Sequence, residues 1–251
     1  MTGTTAHPVR IATWSGPRNI STATMRAFEN RADCAVLDEP LYAAYLHRTG
    51  LDHPGRDEVV AAGETDLDVV VDALLHGAPP QADAATTVHY AKHMSHHVPD
   101  DLDLAWTDGL ANLLLVRDPA EVVASYVRSR ESCEPDDIGL LQQARLAAHW
   151  RERGVEVPVV DAADFLRDPE TYLRWICDHV GIDFDPAMLS WPAGPRASDG
   201  VWAPYWYAAV QRSTGFEPYR PRQVDLSPHD AAVAEACRPA YEELAARRVR
   251  P

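Results

Sequence analysis

Residues Val9–Thr22 read VRIATWSGPRNIST. An apolar, partly β-branched run ends at Trp14, a Ser-Gly-Pro-Arg turn follows, and a helix can start near Ser21. Strand, tight loop and helix start in that order are the layout of a phosphate-binding loop. Backbone N–H groups at such a junction point at an anion, and the helix dipole adds to their pull. The Gly-Lys-Ser/Thr ending used by nucleoside triphosphatases is absent, so the loop predicts an anion site of another kind.

Outward from this loop, strands and helices alternate. ANLLLV at 111–116 reads as a fully buried strand. It runs into Arg117-Asp118-Pro119 and a helix reaching about Arg130, with Asp118 as N-cap and Pro119 as first helical residue. Further strands are expected over 34–37, 86–92 and 157–160. Helices are expected over 21–30 (entered from the Asn19/Ser21 region), 41–48, 66–76, 137–153, 169–180 before Gly181, and 229–247. Residues 50–58 and the Pro-rich GAPPQADA at 77–84 read as loops. The pattern implies an α/β fold: a parallel sheet of about five strands with helices on both faces, in one domain over 1–251. The aromatic-rich stretch within 184–220 is expected to be a cap or a nucleotide loop inside that domain. In such sheets ligands sit at the carboxyl ends of the strands. Ser15–Thr22, Asp38-Glu39, Lys92-His93, Arg117 and Asp161 should therefore converge on one edge.

Composition narrows the partners. The 251 residues carry 23 basic and 38 acidic side chains, a net charge of −15. Nucleic-acid binding needs a basic stripe, which this balance argues against. An anionic ligand must then be met by local Arg, Lys and N–H groups rather than by the global field. Cys34, Cys133, Cys177 and Cys237 are scattered without a CxxC pair, which fits reduced thiols. Residues 1–8 lack the apolar core of a signal peptide, and no run approaches a membrane span. The expectation is a cytoplasmic protein without membrane contact.

Three segments resemble the sulfotransferases that use 3′-phosphoadenosine 5′-phosphosulfate (PAPS). GPRNIST resembles their 5′-phosphosulfate loop. LLLVRDPAEVVASY resembles their 3′-phosphate motif, an Arg at a strand end with a Ser eight residues later, here Arg117 and Ser125. VPVVDAADFLRDPETYLRWICDHVGIDF resembles their late strand, acidic turn and helix. The resemblance implies a P-loop-type fold, no metal, and transfer of a sulfuryl group to a hydroxyl or amine of a small-molecule acceptor. It also implies donor contacts from Arg18, Asn19, Ser21, Thr22, Arg117 and Ser125. Val210–Phe216, VQRSTGF, has the character of the family's C-terminal nucleotide loop and adds Arg212, Ser213 and Thr214. The chain departs from the family at Ile20, where the loop usually has Gly, and at Ala23 and Ala162, where aromatics are common. Adenine then needs another platform, Trp14 or an aromatic after Trp191.

Sulfuryl transfer, like phosphoryl transfer, is in-line displacement governed by positioning and charge. Arg18 and Lys92 are the expected cations at the bridging oxygen. The base is Glu39, in LDEPLY after the second strand, or His93 beside Lys92. Each residue also has a plainer reading. Arg117 could form an ion pair with Asp118 or Glu121, Glu39 could cap the next helix, and Ser213 could sit in a polar turn. His89, His93, His96 and His97 invite a zinc reading, but the segment is strand-like and contains no HExxH. Tyr42, Tyr45, Trp191, Trp202, Tyr205, Trp206 and Tyr207 could wall an acceptor pocket or simply pack. Two alternatives remain: a nucleoside-triphosphate phosphotransferase on the same fold, and a non-catalytic 3′-phosphoadenosine nucleotide-binding protein. Nothing in the sequence sets the oligomeric state.

Overall fold

Val9–Ser15 forms β1, the central strand of a five-stranded, all-parallel sheet ordered β2-β3-β1-β4-β5. Its neighbours are β3 (Val88–Met94) and β4 (Ala111–Val116), and the edges are β2 (Cys34–Asp38) and β5 (Val159–Asp161). Thr13 pairs with Lys92 on one side and Leu113 on the other. The computed structural model describes residues 7–128, 130, 132–221 and 224–251. The polar stretch over 1–6 and Ser129, near the end of the expected 119–130 helix, lie outside the described residues.

Alternation along the strands sorts side chains to two cores. Ile11, Tyr90, Leu113 and Leu115 face α1 (Ser21–Glu29) and α8 (Pro169–Val180), which contribute Met25, Phe28, Leu173 and Ile176. Ala12, Trp14, Leu114 and Val116 face the other way. There α5 (Pro119–Tyr126), α6 (Leu140–Glu152) and α11 (Pro228–Ala245) bring Val123, Trp150 and Cys237. Helices therefore cover both faces, and every strand delivers its carboxyl end to one edge.

The remaining elements are α2 (Tyr42–Thr49), α3 (Arg56–Ala62), α4 (Leu67–His76), α7 (Ala162–Phe165), α9 (Ala203–Trp206) and α10 (Ala208–Arg212). The cysteines are free thiols. Among the described residues no helix is long and apolar enough to cross a membrane.

Besides shifts of one or two residues at other ends, four features differ from expectation. α3 lies partly within the polar 50–58 stretch; it is anchored by a single buried residue, Val59, too little to show as a periodic pattern. The 137–153 helix is broken at Gly139, whose φ is +77°. A turn over Pro135–Ile138 precedes the break and presses on the phosphate-type loop: a Cβ on Gly16 would lie 2.2 Å from the Ile138 carbonyl oxygen. α5 ends at Tyr126, earlier than the expected 130. β3 starts at Val88, after the Asp83–Thr86 turn, and runs to Met94 rather than ending at Lys92, because His93 and Met94 still pair with Trp14 and Ser15 of β1. Lys92 and His93 are therefore consecutive residues inside a strand, and consecutive strand residues face opposite ways.

Part of the 184–220 stretch packs against α2 and α3. Trp202, Ala203 and Tyr207 pack with Tyr42, Leu46 and Val59 in a third apolar cluster.

Candidate functional site

The loop after β1 is held in a conformation that few non-glycine residues adopt. Arg18 has φ +56°, in the left-handed region. Its carbonyl accepts from Arg117 Nη1 at 2.9 Å, and its own Nε donates to Ser125 Oγ at 3.0 Å. Asn19 Nδ2 donates to the Leu115 carbonyl at 3.0 Å, and Gln143 Nε2 donates to the Trp14 and Leu115 carbonyls at 2.9 and 3.0 Å. β1, β4, α5 and α6 thus pin the loop jointly. Asn19 and Ser21 do not cap α1 as expected. Asn19 Oδ1 accepts from the Ile20 N–H at 2.8 Å instead, and no side chain caps the first turn. Ser21 is buried there, with Thr22 beside it half-buried. The amide donors of that turn have no intrahelical partner and remain available to a ligand.

Charge gathers at this loop. Burial, and then the neighbouring guanidinium groups of Arg128 and Arg117, push the Arg18 pKa down. Arg117 is compensated by Glu121, whose Oε2 accepts from Nη2 at 2.8 Å and from Nε at 3.0 Å. Among the described residues no ion pair reaches Arg18 or Arg128. In a chain of net charge −15, Arg18 and Arg128 thus repel each other with no carboxylate partner among the described residues, a strain that a bound anion would relieve. Arg128 was not foreseen from the sequence; the available signal was its position three residues after Ser125.

Beside Arg117, at the ends of β4 and β5, lies a cleft of about 540 Å³ lined by Arg117, Asp161, Arg167, Tyr219, Tyr241 and Arg248, among others. Tyr219 donates its hydroxyl to Glu121 Oε1 at 2.8 Å and lies under the Arg167 guanidinium, 4.9 Å from its ring centroid. Asp161 caps α7 and accepts from the Tyr241 hydroxyl at 2.9 Å.

The other end of the edge, after β2 and β3, is closed and acidic. Lys92 Nζ donates to Asp38 Oδ1 at 2.8 Å, to Glu39 Oε1 at 2.7 Å and to the Tyr207 hydroxyl. An ammonium has three N–H donors, and all three are used. The Tyr207 hydroxyl in turn donates to Asp38 and accepts from Trp202 Nε1 at 3.1 Å. Glu39 is 8% exposed and, at φ +45°, is the second non-glycine residue in the left-handed region. Its N–H donates to the Lys92 carbonyl at 2.9 Å, which locks the turn to β3. Burial raises the Glu39 pKa, and the Lys92 ammonium pulls against that shift. For Lys92, burial works downward, but Asp38 and Glu39 outweigh it and the net direction is up.

The expected site residues therefore separate. Arg18, Asn19, Arg117 and Ser125 come together, and so do Glu39 and Lys92. His93 joins neither group. It is 1% exposed on the opposite face of the sheet and stacks on Trp14 at 4.1 Å between centroids. Neither ring nitrogen has a hydrogen-bond partner, and burial lowers its pKa to about 3. The same stacking buries Trp14 completely, which removes it as an adenine platform. His89 lies at the far end of β3, 3.1 Å from Arg10. Ser213 accepts from Trp191 Nε1 at 3.1 Å and donates to the Val210 carbonyl, and the Thr214 carbonyl accepts from the Trp191 N–H. Arg212 is exposed, and none of these three hydrogen-bonds to the arginine cluster. Tyr219, just beyond them, reaches the cleft.

The chain is 36% identical over 244 residues, 95% of its length, to branched-chain-amino-acid aminotransferase-like protein 1 of Arabidopsis thaliana, and 36% identical over 236 residues to protein 2 of the same name. It spans 42% and 41% of those two relatives. The fold is similar to the sulfotransferase domain from the curacin biosynthetic pathway, with TM-score 0.53, 16% identity, and coverage of 92% of this chain and 98% of that one. It is also similar to the sulfotransferase domain from the Synechococcus PCC 7002 olefin synthase, with TM-score 0.50, 17% identity, and coverage of 94% and 97%. A family model described as "Sulfotransferase domain" matches residues 9–248, nearly the whole chain, and the chain accordingly belongs to the sulfotransferase family.

Proposed function

We propose that this sulfotransferase takes its sulfuryl group from PAPS and passes it to a hydroxyl or amine of a small-molecule acceptor in the cytoplasm, without a metal. The observation that carries the reading is the Arg18–Ser125–Arg117 cluster, in which Arg18 has a hydroxyl but no carboxylate partner. The 5′-phosphosulfate lies on the loop, against Arg18, Asn19 and the free N–H groups at the start of α1, with Ser21 and Thr22 in that first turn. The 3′-phosphate lies between Ser125, Arg117 and Arg128. The adenosine occupies the cleft, where Tyr219 offers the aromatic face that Ala23 and Ala162 do not.

The acceptor enters at the Glu39 end. As its oxygen bonds to sulfur, its proton passes to Glu39, and the bond from sulfur to the bridging phosphate oxygen breaks. The electron pair stays on that oxygen, where Arg18 meets the growing charge. Lys92, with all three donors engaged, clamps Glu39 and does not reach for the bridging oxygen. Ser213 and Thr214 hold Trp191 in place, and Arg212 stays exposed.

Calorimetric titration with 3′-phosphoadenosine 5′-phosphate, against ADP and ATP with and without magnesium, tests the donor. The expected result is tight binding that needs the 3′-phosphate and ignores magnesium. Preference for ATP with magnesium would replace this reading with a phosphotransferase.

A further inference from the structure

The two carboxylate oxygens of Glu39 have different surroundings. Oε1 accepts from Lys92 Nζ at 2.7 Å and lies 3.3 Å from the Tyr207 oxygen, whose proton goes to Asp38. Oε2 accepts no hydrogen bond among the described residues and faces His97 Nδ1 at 4.0 Å. His97 ends the short turn Ser95–His97 that follows β3, and it is 2% exposed. Its ring lies between Tyr42, stacked at 4.4 Å and 6°, and Tyr45, at 4.8 Å and 28°. The two rings fix the imidazole plane and with it the direction of Nδ1, which has no partner.

We propose that neutral His97, carrying its proton on Nε2, positions Glu39 by accepting a hydrogen bond at Nδ1 from Oε2–H once Glu39 has taken the acceptor's proton. The inference rests on the reading of Glu39 as base, and His97 acts only through it. With Glu39 ionised, Oε2 and Nδ1 are both acceptors and have no reason to approach. Protonation turns Oε2 into a donor, and the pair closes to about 2.8 Å. The proton remains on Oε2 until product leaves, and then returns to solvent.

Several other groups face the pair. Asp38 comes from β2, Lys92 and His93 from β3, and Tyr207 from the start of α10. Tyr42 and Tyr45 come from α2, His53 from the loop before α3, and His96 from the same turn as His97. Lys92 and Asp38 carry the formal charges of this set, and both are engaged with each other and Tyr207. Burial, with the neighbouring histidines His96 and His53 and the Lys92 charge, holds the His97 pKa well below its ordinary value, so the ring stays neutral.

Infrared spectra of the whole protein labelled with 13C-carboxyl glutamate, titrated with acid, read the protonation of Glu39 directly. Glu39→Gln identifies its band. His97→Phe keeps an aromatic ring between Tyr42 and Tyr45 but removes the acceptor atom. His97→Asn places an amide oxygen near the Nδ1 position, whereas the longer His97→Gln reaches toward Nε2. In His97→Phe and His97→Gln, Glu39 should protonate about one pH unit lower than in wild type, a tenfold loss of proton affinity. His97→Asn should restore most of the shift. Equal midpoints in wild type, His97→Phe and His97→Gln would overturn the proposal. So would a wild-type Glu39 band that stays ionised down to acid unfolding. The titration uses neither donor nor acceptor. Coupling seen in a protein that fails to bind 3′-phosphoadenosine 5′-phosphate would overturn the sulfotransferase mechanism and leave the Glu39–His97 pairing standing.

Discussion

The two ends of the sheet's carboxyl edge are built on opposite principles. At β1 and β4, Arg18 and Arg128 have no carboxylate partner among the described residues, and the start of α1 is uncapped. At β2 and β3, Asp38, Glu39, Lys92 and Tyr207 hydrogen-bond to one another and are almost sealed from solvent, with Glu39 Oε2 left without a hydrogen bond among the described residues. The first end thus leaves cations without carboxylate partners among the described residues. The second carries two carboxylates for one ammonium. Unpaired cations suit a charged donor. A buried, over-acidic cluster suits a base whose proton affinity has been raised, and it disfavours an anionic acceptor. Both strained non-glycine residues, Arg18 and Glu39, sit at these two ends, one at each.

Substitutions at each end should have different signatures. Glu39→Gln removes the proposed proton acceptor and should lower kcat about 10²–10⁴-fold while leaving donor affinity unchanged. Calorimetry and turnover measured on the same preparation separate the two effects. Equal loss of donor binding would mean that the ends are not independent. Arg18→Ala should weaken 3′-phosphoadenosine 5′-phosphosulfate binding about tenfold to a hundredfold, the cost of losing a charge-assisted contact, and Arg128→Ala should cost less. If Arg128→Ala has no effect on affinity at low salt, the unpaired charge there belongs to the surface and not to the donor site.

The smallest effect concerns a residue that belongs to neither end. Burial pushes the pKa of His93 and of His96 down to about 3, against an ordinary 6.5 that the unfolded chain regains. Folded values below unfolded ones mean stability that is whole above pH 6.5 and lost as pH falls toward 3. Each such histidine contributes a slope of about 1.4 kcal/mol per pH unit within that window. His93→Phe should leave kcat unchanged and flatten the acid limb of thermal stability by one proton. A loss of turnover with unchanged acid stability would return His93 to the active site.

Much of the fold was legible because its signals are local. Pro169 and Gly181 bracket an amphipathic run, and α8 occupies the expected 169–180. ANLLLV is a strand by composition alone, and Asp118-Pro119 starts α5 as capping chemistry requires. α3 escaped notice because one buried valine leaves no period to read. The break at Gly139 escaped notice because its cause, the backbone of Gly16, lies far away in sequence.

The site divides along the same line. The loop after β1, the Arg117–Ser125 spacing, the carboxylate after β2 and the parallel α/β plan are readable from the chain, since each is carried by neighbours within a few residues. That Arg128 stands beside Arg18 and that Tyr207 reaches back to Asp38 follows from packing between distant segments. Only in the tertiary structure does His97 face Glu39 while His93 turns away from it. The last distinction comes from where β3 ends. Pairing with β1 continues through His93 and Met94, so Lys92 and His93 are consecutive strand residues, and the pleat sends one toward the carboxylates and the other into the core behind Trp14.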